Sequence, residues 1–231
     1  MIKKALLLTD IHIPFECPNS IRKAFEVGKK FNPDTIVLGG DIIDFHSISR
    51  FQKNPKERDL VHEIERTRMF LSAVRKKFPK ARIIYKLGNH ELRLSHYLWN
   101  KAEEFAGLGE LELPNLLHFT KYGVEFVPDD KVVKLGKLNF VHGHETGISI
   151  CSVYPARSLL LCSNVNSIAG HCHRPSSCVK RTLNGQLIKT YTVGCLCNLR
   201  PDYRLYNDWV NGIGLVEVSA NGDFNVELKS F

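Results

Sequence analysis

Short apolar runs that each stop on an acidic or imidazole side chain constrain this chain more than any other feature. Residues 4–9, KALLLT, stop at Asp10; TIVLGGD stops at Asp41; ARIIYKLGN stops at Asn89, with His90 behind it. Runs this short and this continuous in Leu, Ile and Val are what a strand buried on both faces requires. Helical patterns separate them. One predicted helix is capped by Asn19 or Ser20 and runs to about Phe31, with Ile21, Ala24, Phe25 and Val27 at helical spacing. A second is a long amphipathic stretch over residues 57–78. Strands alternating with helices predict parallel βαβ units.

The second half of the 231-residue chain changes character. YGVEFVP, KVVKLGKLNFVHG, CVKRTLNGQLIKTYTVG and IGLVEVSANGDFNVELKS read as strands, with a helix around residues 153–163 between them. Asn-Gly pairs at 184–185, 211–212 and 221–222 predict tight turns. The expectation is an α/β fold with mixed sheets, parallel early and antiparallel late. Neither linkers nor repeats break the chain, so one domain over residues 1–231 is expected.

Composition narrows the function classes. The apolar run after Lys3 and Lys4 is too short for a signal-peptide core, and no run approaches membrane-spanning length, so a soluble cytoplasmic protein is the default. The seven cysteines are odd in number and follow no disulfide framework, which predicts free thiols. A formal net charge of +8 attracts polyanions. The basic runs at Lys29–Lys30, Arg75–Lys80 and Lys180–Arg181 fit solvated surface as well as a binding groove.

In open α/β sheets the ligand site lies beyond the carboxyl ends of the strands, and that is where the polar residues fall. Successive strand ends carry Asp10-Ile11-His12, Gly39-Gly40-Asp41 with Asp44 three residues on, Gly88-Asn89-His90-Glu91, His142-Gly143-His144 and Gly170-His171-Cys172-His173. Carboxylate, amide and imidazole groups are ligands for Mn, Fe, Zn and related divalent ions rather than for metals that select thiolates. Spacing of two residues in Asp10/His12 and His171/His173 predicts that each pair points to one side of an extended backbone. The glycines before Asp41, Asn89 and His171 allow close backbone approach. Cys172 should alternate away and pack. A thiolate zinc site from Cys172, Cys178, Cys195 and Cys197 lacks any C-x-x-C spacing.

The ordered set D-x-H, G-D-x-x-D, G-N-H-E, H-G-H, G-H-x-H resembles the calcineurin-like metallophosphoesterase superfamily over residues 8–173. The resemblance implies a four-layer αββα sandwich of two mixed β-sheets flanked by helices, and a dinuclear centre. It implies one metal held by Asp10, His12, Asp41 and His173, and a second held by Asp41, Asn89, His142 and His171. Mn is expected foremost, with Fe, Zn, Ni, Co or Mg as alternatives. Two divalent ions about 3.5–4 Å apart can bind a bridging hydroxide for in-line attack on phosphorus and clamp phosphate oxygens. His90 resembles the family's general acid. Asp44 and Glu91 are expected to orient it or a ligand, or simply to cap a loop and a helix.

Departures from the pattern also inform. The chain reads DIHIP and GDIIDF where the protein Ser/Thr phosphatases of the superfamily carry H-G and R-G, so that subfamily is excluded. Residues 91–118 are similar to the variable helical insertion over the metals. Arg93, His144 and Arg157 are candidate substrate contacts, while Tyr97 and Trp99 could stack a base or pack in a core. The chain resembles small stand-alone members. It is expected to hydrolyse a phosphodiester or phosphomonoester, nucleotide or nucleic acid being favoured, with no membrane and no obligate protein partner. A phosphatase for small molecules or phosphoproteins, and a non-catalytic binding scaffold, are the alternatives.

Overall fold

The computed structural model describes residues 2–52, 54, 56, 58–201 and 204–231. In chain order it contains β1 (Lys3–Leu8), α1 (Pro18–Phe31), β2 (Thr35–Leu38), α2 (Leu60–Lys77), β3 (Arg82–Lys86), α3 (Leu92–Lys101), the single turns α4 (Leu113–Leu116) and α5 (Phe119–Tyr122), and β4 (Val124–Val127). Then follow β5 (Val133–Leu135), β6 (Leu138–Val141), α6 (Pro155–Ser163), β7 (Ser167–Ala169), β8 (Ser176–Arg181), β9 (Leu187–Thr192), β10 (Gly212–Val218) and β11 (Phe224–Ser230). One sheet has the order β11-β10-β1-β2-β3-β4 and the other β5-β6-β7-β9-β8.

Both sheets are mixed. β1 through β4 run parallel and β10 and β11 join antiparallel; β6, β7 and β9 run parallel and β5 and β8 flank them antiparallel. Period-two alternation sorts the buried residues of the central strands into two layers. Leu6, Leu8, Ile36, Leu38, Ile83 and Tyr85 face the α1/α2 side, packing with Ala24, Phe70, Leu71 and Val74. Ala5, Leu7, Val37 and Ile84 face the second sheet and meet Leu138, Phe140 and Ile168. On that sheet's far side, Leu159 of α6 packs with Val141, Ala169 and Cys172. The four layers are therefore helix, sheet, sheet, helix, as expected.

Local chemistry sets the helix ends. Cys17 is the N-cap residue of α1 and Pro18 its first turn, where a missing N–H costs nothing. Asn19 and Ser20 thus lie inside the helix rather than capping it, and Ser20 Oγ donates to Asn211 Oδ1 at 2.8 Å. Lys29 and Lys30 sit at the negative end of the helix, and Asn32 closes it in the left-handed region. The second helix begins later than expected: the Asp59 side chain caps it by accepting from the His62 N–H at 2.9 Å, and position 57 lies outside the described residues.

Two Asn-Gly pairs make turns and one does not. Gly185 and Gly222 take positive φ between β8 and β9 and between β10 and β11. Asn211-Gly212 instead enters β10, where Gly212 N–H donates to Cys195 O at 3.0 Å. A Cβ on Gly212 would come within 2.7 Å of Lys229 O, so close strand approach selects that glycine.

Candidate metal centre

The carboxyl ends of β1, β2, β3, β6 and β7 face one place, and the five expected motifs stand on the loops that leave them. The backbone there is not extended. Asp10, His12, Asp41, His171 and His173 all have φ between 51° and 63°. Left-handed conformations in non-glycine residues cost of order 1–3 kcal/mol each and collect at functional sites. Their convergence comes from tight loop curvature, which corrects the expectation of extended two-residue alternation. Surrounding contacts hold these loops. Asp10 N–H donates to Gly40 O at 3.1 Å, and the Ile11 and His12 N–H groups share Asp41 O at 2.9 Å.

Hydrogen bonds show that Nδ1 carries a proton in two of the imidazoles, His142 and His12. His142 Nδ1 lies 2.8 Å from Gly39 O, which can only accept, so Nδ1 is protonated. Its Nε2 faces Asn89 Oδ1 at 3.2 Å and Asp41 Oδ2 at 3.3 Å. His12 Nδ1 lies 2.9 Å from Asp44 Oδ2, leaving its Nε2 directed at His173 Nε2, 3.2 Å away. His173 Nε2 is also 3.4 Å from Asp10 Oδ1. Ligand atoms that converge in this way are bridged by protons or by metal ions, and this donor set fits divalent ions.

Burial would lower His142, yet the carboxylate of Asp41 against it pushes the imidazole up to about 10, so a metal ion bound at Nε2 would take the place of a proton that Asp41 otherwise holds there. Burial and the neighbouring His142 push His171 down to about 4, so its ring is neutral and free to donate a lone pair at ordinary pH. Burial would raise Asp41, but His142 and His90 hold it well below the usual carboxylate range. Asp41, His142 and His171 offer atoms close enough to share one ion. On the other side, His12 Nε2 lies 3.8 Å from Asp41 Oδ2, so Asp41 stands between the two groups.

Beside the cluster, His90 packs edge-on against His12 with ring centroids 4.4 Å apart. Its backbone N–H donates to Asp41 Oδ1 at 2.8 Å, and its Nδ1 meets Asp44 Oδ2 at 3.1 Å. Burial opposes protonation of His90, but Asp41 and Asp44 outweigh it and push the group upward. Arg93 Nη1 donates to Asp44 Oδ1 at 2.8 Å and Nη2 to His90 Nε2 at 3.1 Å. Glu91, 2% exposed, does not touch His90. Its carboxylate accepts from the N–H groups of Asp41, Ile42 and Gly88 at 2.8–2.9 Å and from Tyr85 Oη at 2.7 Å, stitching two motif loops together.

An open cleft of about 1050 Å³ adjoins the cluster, and Arg93, His144 and Asn89 line it. Tyr97 also lines it, whereas Trp99 does not. Arg157 is exposed on α6, which packs on the outer face of the second sheet, so it is not among the described residues lining the cleft.

Sequence reasoning missed four contributors. Cys197, after β9, places Sγ 3.9 Å from His173 Nδ1, and Trp209 packs edge-on against the same ring at 4.2 Å. Lys86 is fully buried at the end of β3 and pairs with Glu145, which accepts from the His142 and Gly143 N–H groups at 3.0 and 2.6 Å. β9 is a parallel strand ending at the same edge as its neighbours, so a glycine followed by polarisable side chains in VGCLCN was the available signal for Cys197. A charged residue closing an apolar strand was the signal for Lys86.

The chain is 26% identical over 234 residues to the Gene 54 protein of Mycobacterium phage L5, covering 95% of this chain and 91% of that protein. Its identity to the Gene 54 protein of Mycobacterium phage D29 is 27% over 237 residues, with 96% and 91% covered. Among solved structures, a dimetal phosphatase from Danio rerio aligns at 13% identity and a TM-score of 0.48, covering 99% of this chain and 95% of that one. Vacuolar Protein Sorting 29 from Cryptosporidium parvum aligns at 15% identity and a TM-score of 0.47, covering 100% and 98%. Residues 3–189 match the Calcineurin-like phosphoesterase family. With well over half its length matched, and with the strand-end motifs inside the match, the chain belongs to the calcineurin-like phosphoesterase family and is a metal-dependent hydrolase of phosphoric esters.

Proposed function

We propose that the protein is a two-metal phosphoesterase, with Asp10, His12, Asp41 and His173 holding one ion and Asp41, Asn89, His142 and His171 the other. The observation that carries this reading is the meeting of His12 Nε2 with His173 Nε2 and of His142 Nε2 with Asn89 Oδ1 and Asp41 Oδ2, metal-ligating atoms directed at one another. Bound there, divalent ions would supply a Lewis acid for phosphate oxygens and an activated water as nucleophile. Mn is the first choice of metal for a set of carboxylate, amide and imidazole donors.

The chain's own groups do the rest. Arg93, now bonded to His90 Nε2, is drawn onto an anionic oxygen of the substrate. Released from Arg93, His90 Nε2 takes up a proton from solvent, which Asp41 and Asp44 favour, and passes it to the departing alkoxide, while Asp44 holds Nδ1–H and so fixes the ring. Asp44 is a positioning residue for both His12 and His90, and Glu91 positions the Asp41 and Asn89 loops. His144, on the cleft wall, is placed to contact a phosphate oxygen. Within a single domain, α3 of the 91–118 segment walls the cleft beside the metals, whereas Leu113 and Leu117 of the same segment pack in the core.

We favour a nucleotide or nucleic-acid ester, since the net charge of +8 and the basic cleft both attract polyanions. No described helix is long and apolar enough to cross a membrane, and a cytoplasmic setting suits the seven free thiols. The test is turnover, with Mn added, of bis-p-nitrophenyl phosphate, p-nitrophenyl phosphate and cyclic nucleotides. Faster diester cleavage supports the reading, and faster monoester cleavage supports a phosphatase. No cleavage of any, with Asp41→Asn indistinguishable from wild type, would favour a binding scaffold.

A further inference from the structure

We infer that the cleft beside the metal centre is a track for a single-stranded polynucleotide, with Arg50, Arg58 and Lys101 holding phosphates that flank the one being cleaved. This rests on the phosphoesterase reading above and narrows its substrate. Four basic side chains, Arg50, Arg58, Arg93 and Lys101, line the cleft, and none of its described lining residues is Asp or Glu. Over the whole chain the ratio is 32 basic to 24 acidic residues, so the bias is concentrated here. Arg93 alone is tied to the reacting centre, through Asp44 and His90. A substrate with one phosphate leaves the other three cations without an anion to meet, whereas neighbouring phosphates of a strand supply one for each.

The aromatic residues say which kind of polyanion fits. Phe51 is 63% exposed and Tyr97 is 40% exposed, both on the cleft wall. Arg50 lies over the Phe51 ring, its guanidinium carbon 5.3 Å from the centroid. Interleaved basic and aromatic groups are how proteins bind unpaired bases without reading sequence: the cations track the backbone and the rings stack bases. A paired duplex offers phosphates but hides its base faces. The cleft's 1050 Å³ also exceeds what one phosphate at the metals requires.

The test is anisotropy binding of a short phosphorothioate oligothymidylate, which keeps every backbone charge and resists cleavage, to Mn-loaded protein over a salt series. For a single strand, each phosphate neutralised contributes about 0.7 to the slope of log affinity against log salt. Arg50→Ala, Arg58→Ala and Lys101→Ala should each flatten the slope by about 0.7 and together by about 2. Tyr97→Ala should weaken binding about fivefold or more with the slope unchanged. The double variant Lys29→Ala/Lys30→Ala, on the far turn of α1, should leave the slope as in wild type. Arg→Gln versions serve if an alanine variant fails to fold.

Cleft variants with the wild-type slope, or a duplex of the same length bound as tightly as the strand, would overturn the inference. Hydrolysis of bis-p-nitrophenyl phosphate in the same wild-type preparation separates the two levels. Hydrolysis without oligonucleotide binding overturns the track alone, whereas absence of hydrolysis overturns the phosphoesterase reading and the track with it.

Discussion

Lys86 Nζ sits 2.9 Å from Glu145 Oε1, at a side chain with no solvent exposure, and also donates to Pro128 O and Asp129 O at 2.8 and 3.0 Å. Glu145 in turn receives the His142 N–H. One buried ion pair therefore braces the loop that carries His142 and His144. Lys86→Met leaves Glu145 without its cation, and breaking a buried pair from one side costs about 3–5 kcal/mol. With Glu145 partly exposed, the low end is expected. Burial would raise the Glu145 carboxyl, but Lys86 holds it below its ordinary value of 4.5. A depressed carboxylate stabilises the fold above its unfolded value, and this contribution is lost as pH falls through the folded one. Urea midpoints should thus show a wild-type advantage over Lys86→Met at neutral pH that shrinks below 4.5. An advantage independent of pH would argue against the pair as its source.

Asp44 holds His12 Nδ1 and His90 Nδ1 at once. Replacing a carboxylate that fixes a metal-binding imidazole typically lowers metal affinity by 10–100-fold. Asp44→Asn is expected to lose Mn affinity in that range, measured by competition with a fluorescent chelator. It should also slow esters with poor leaving groups through misplacement of His90. Unchanged affinity would remove Asp44 from its positioning role.

His90→Ala should retain its bound metals and lose about 10²–10⁴ in turnover of esters with poor leaving groups. On p-nitrophenyl esters, whose leaving group needs no proton, the loss should be much smaller. Comparing kcat across leaving groups of rising pKa gives the answer as a slope, and a loss of equal size throughout would exclude a proton-donor role.

Glycine at position 88 is required by contact rather than by φ. A Cβ there would lie 2.5 Å from Asp41 N and 2.8 Å from Glu91 Oε2. Gly88→Ala must therefore push apart the two loops that Glu91 joins. We expect loss of Mn binding together with a lower melting temperature. A fully metal-loaded Gly88→Ala protein would show that the loops have slack the structure does not display.

Thiol chemistry offers an independent check of burial. Cys172 packs with Val141, Ile148, Leu159 and Ala169, and burial pushes its thiol up to about 12. Cys151 and Cys162 are exposed. Mass-resolved alkylation of native protein at mildly alkaline pH should label Cys151 and Cys162 first and Cys172 only on unfolding. Early labelling of Cys172 would place it on the surface.

Much of this organisation is legible in the sequence, because fully buried strands must be apolar on both faces and their ends are where polarity returns. KALLLT, TIVL and RIIYK announce themselves in this way, and the residues beyond them are the ones that converge. The backbone at those ends is less legible. Asp10, His12, Asp41, His171 and His173 adopt left-handed φ because contacts from other loops hold them there, and local sequence does not encode those contacts. Asn211-Gly212 carries a turn signal that strand pairing overrides, and Ser20 gives up a capping role to bond Asn211, 191 residues away. The contacts of Cys197 and Lys86 are not legible in the sequence for the same reason. His173, the partner of Cys197, follows the neighbouring strand β7 of the same sheet, while Glu145, the partner of Lys86, follows β6 of the other sheet, so strand pairing joins one pair and sheet stacking the other.

The central claim is that Asp41 stands between two donor groups and serves both. The most direct test is elemental analysis of Mn-loaded, gel-filtered protein, wild type against Asp41→Asn. The account predicts about two Mn per wild-type chain, as expected of a two-metal centre, and fewer than one in Asp41→Asn with the fold intact by circular dichroism. Fewer than one Mn in the wild type, or an undiminished content in Asp41→Asn, would contradict it.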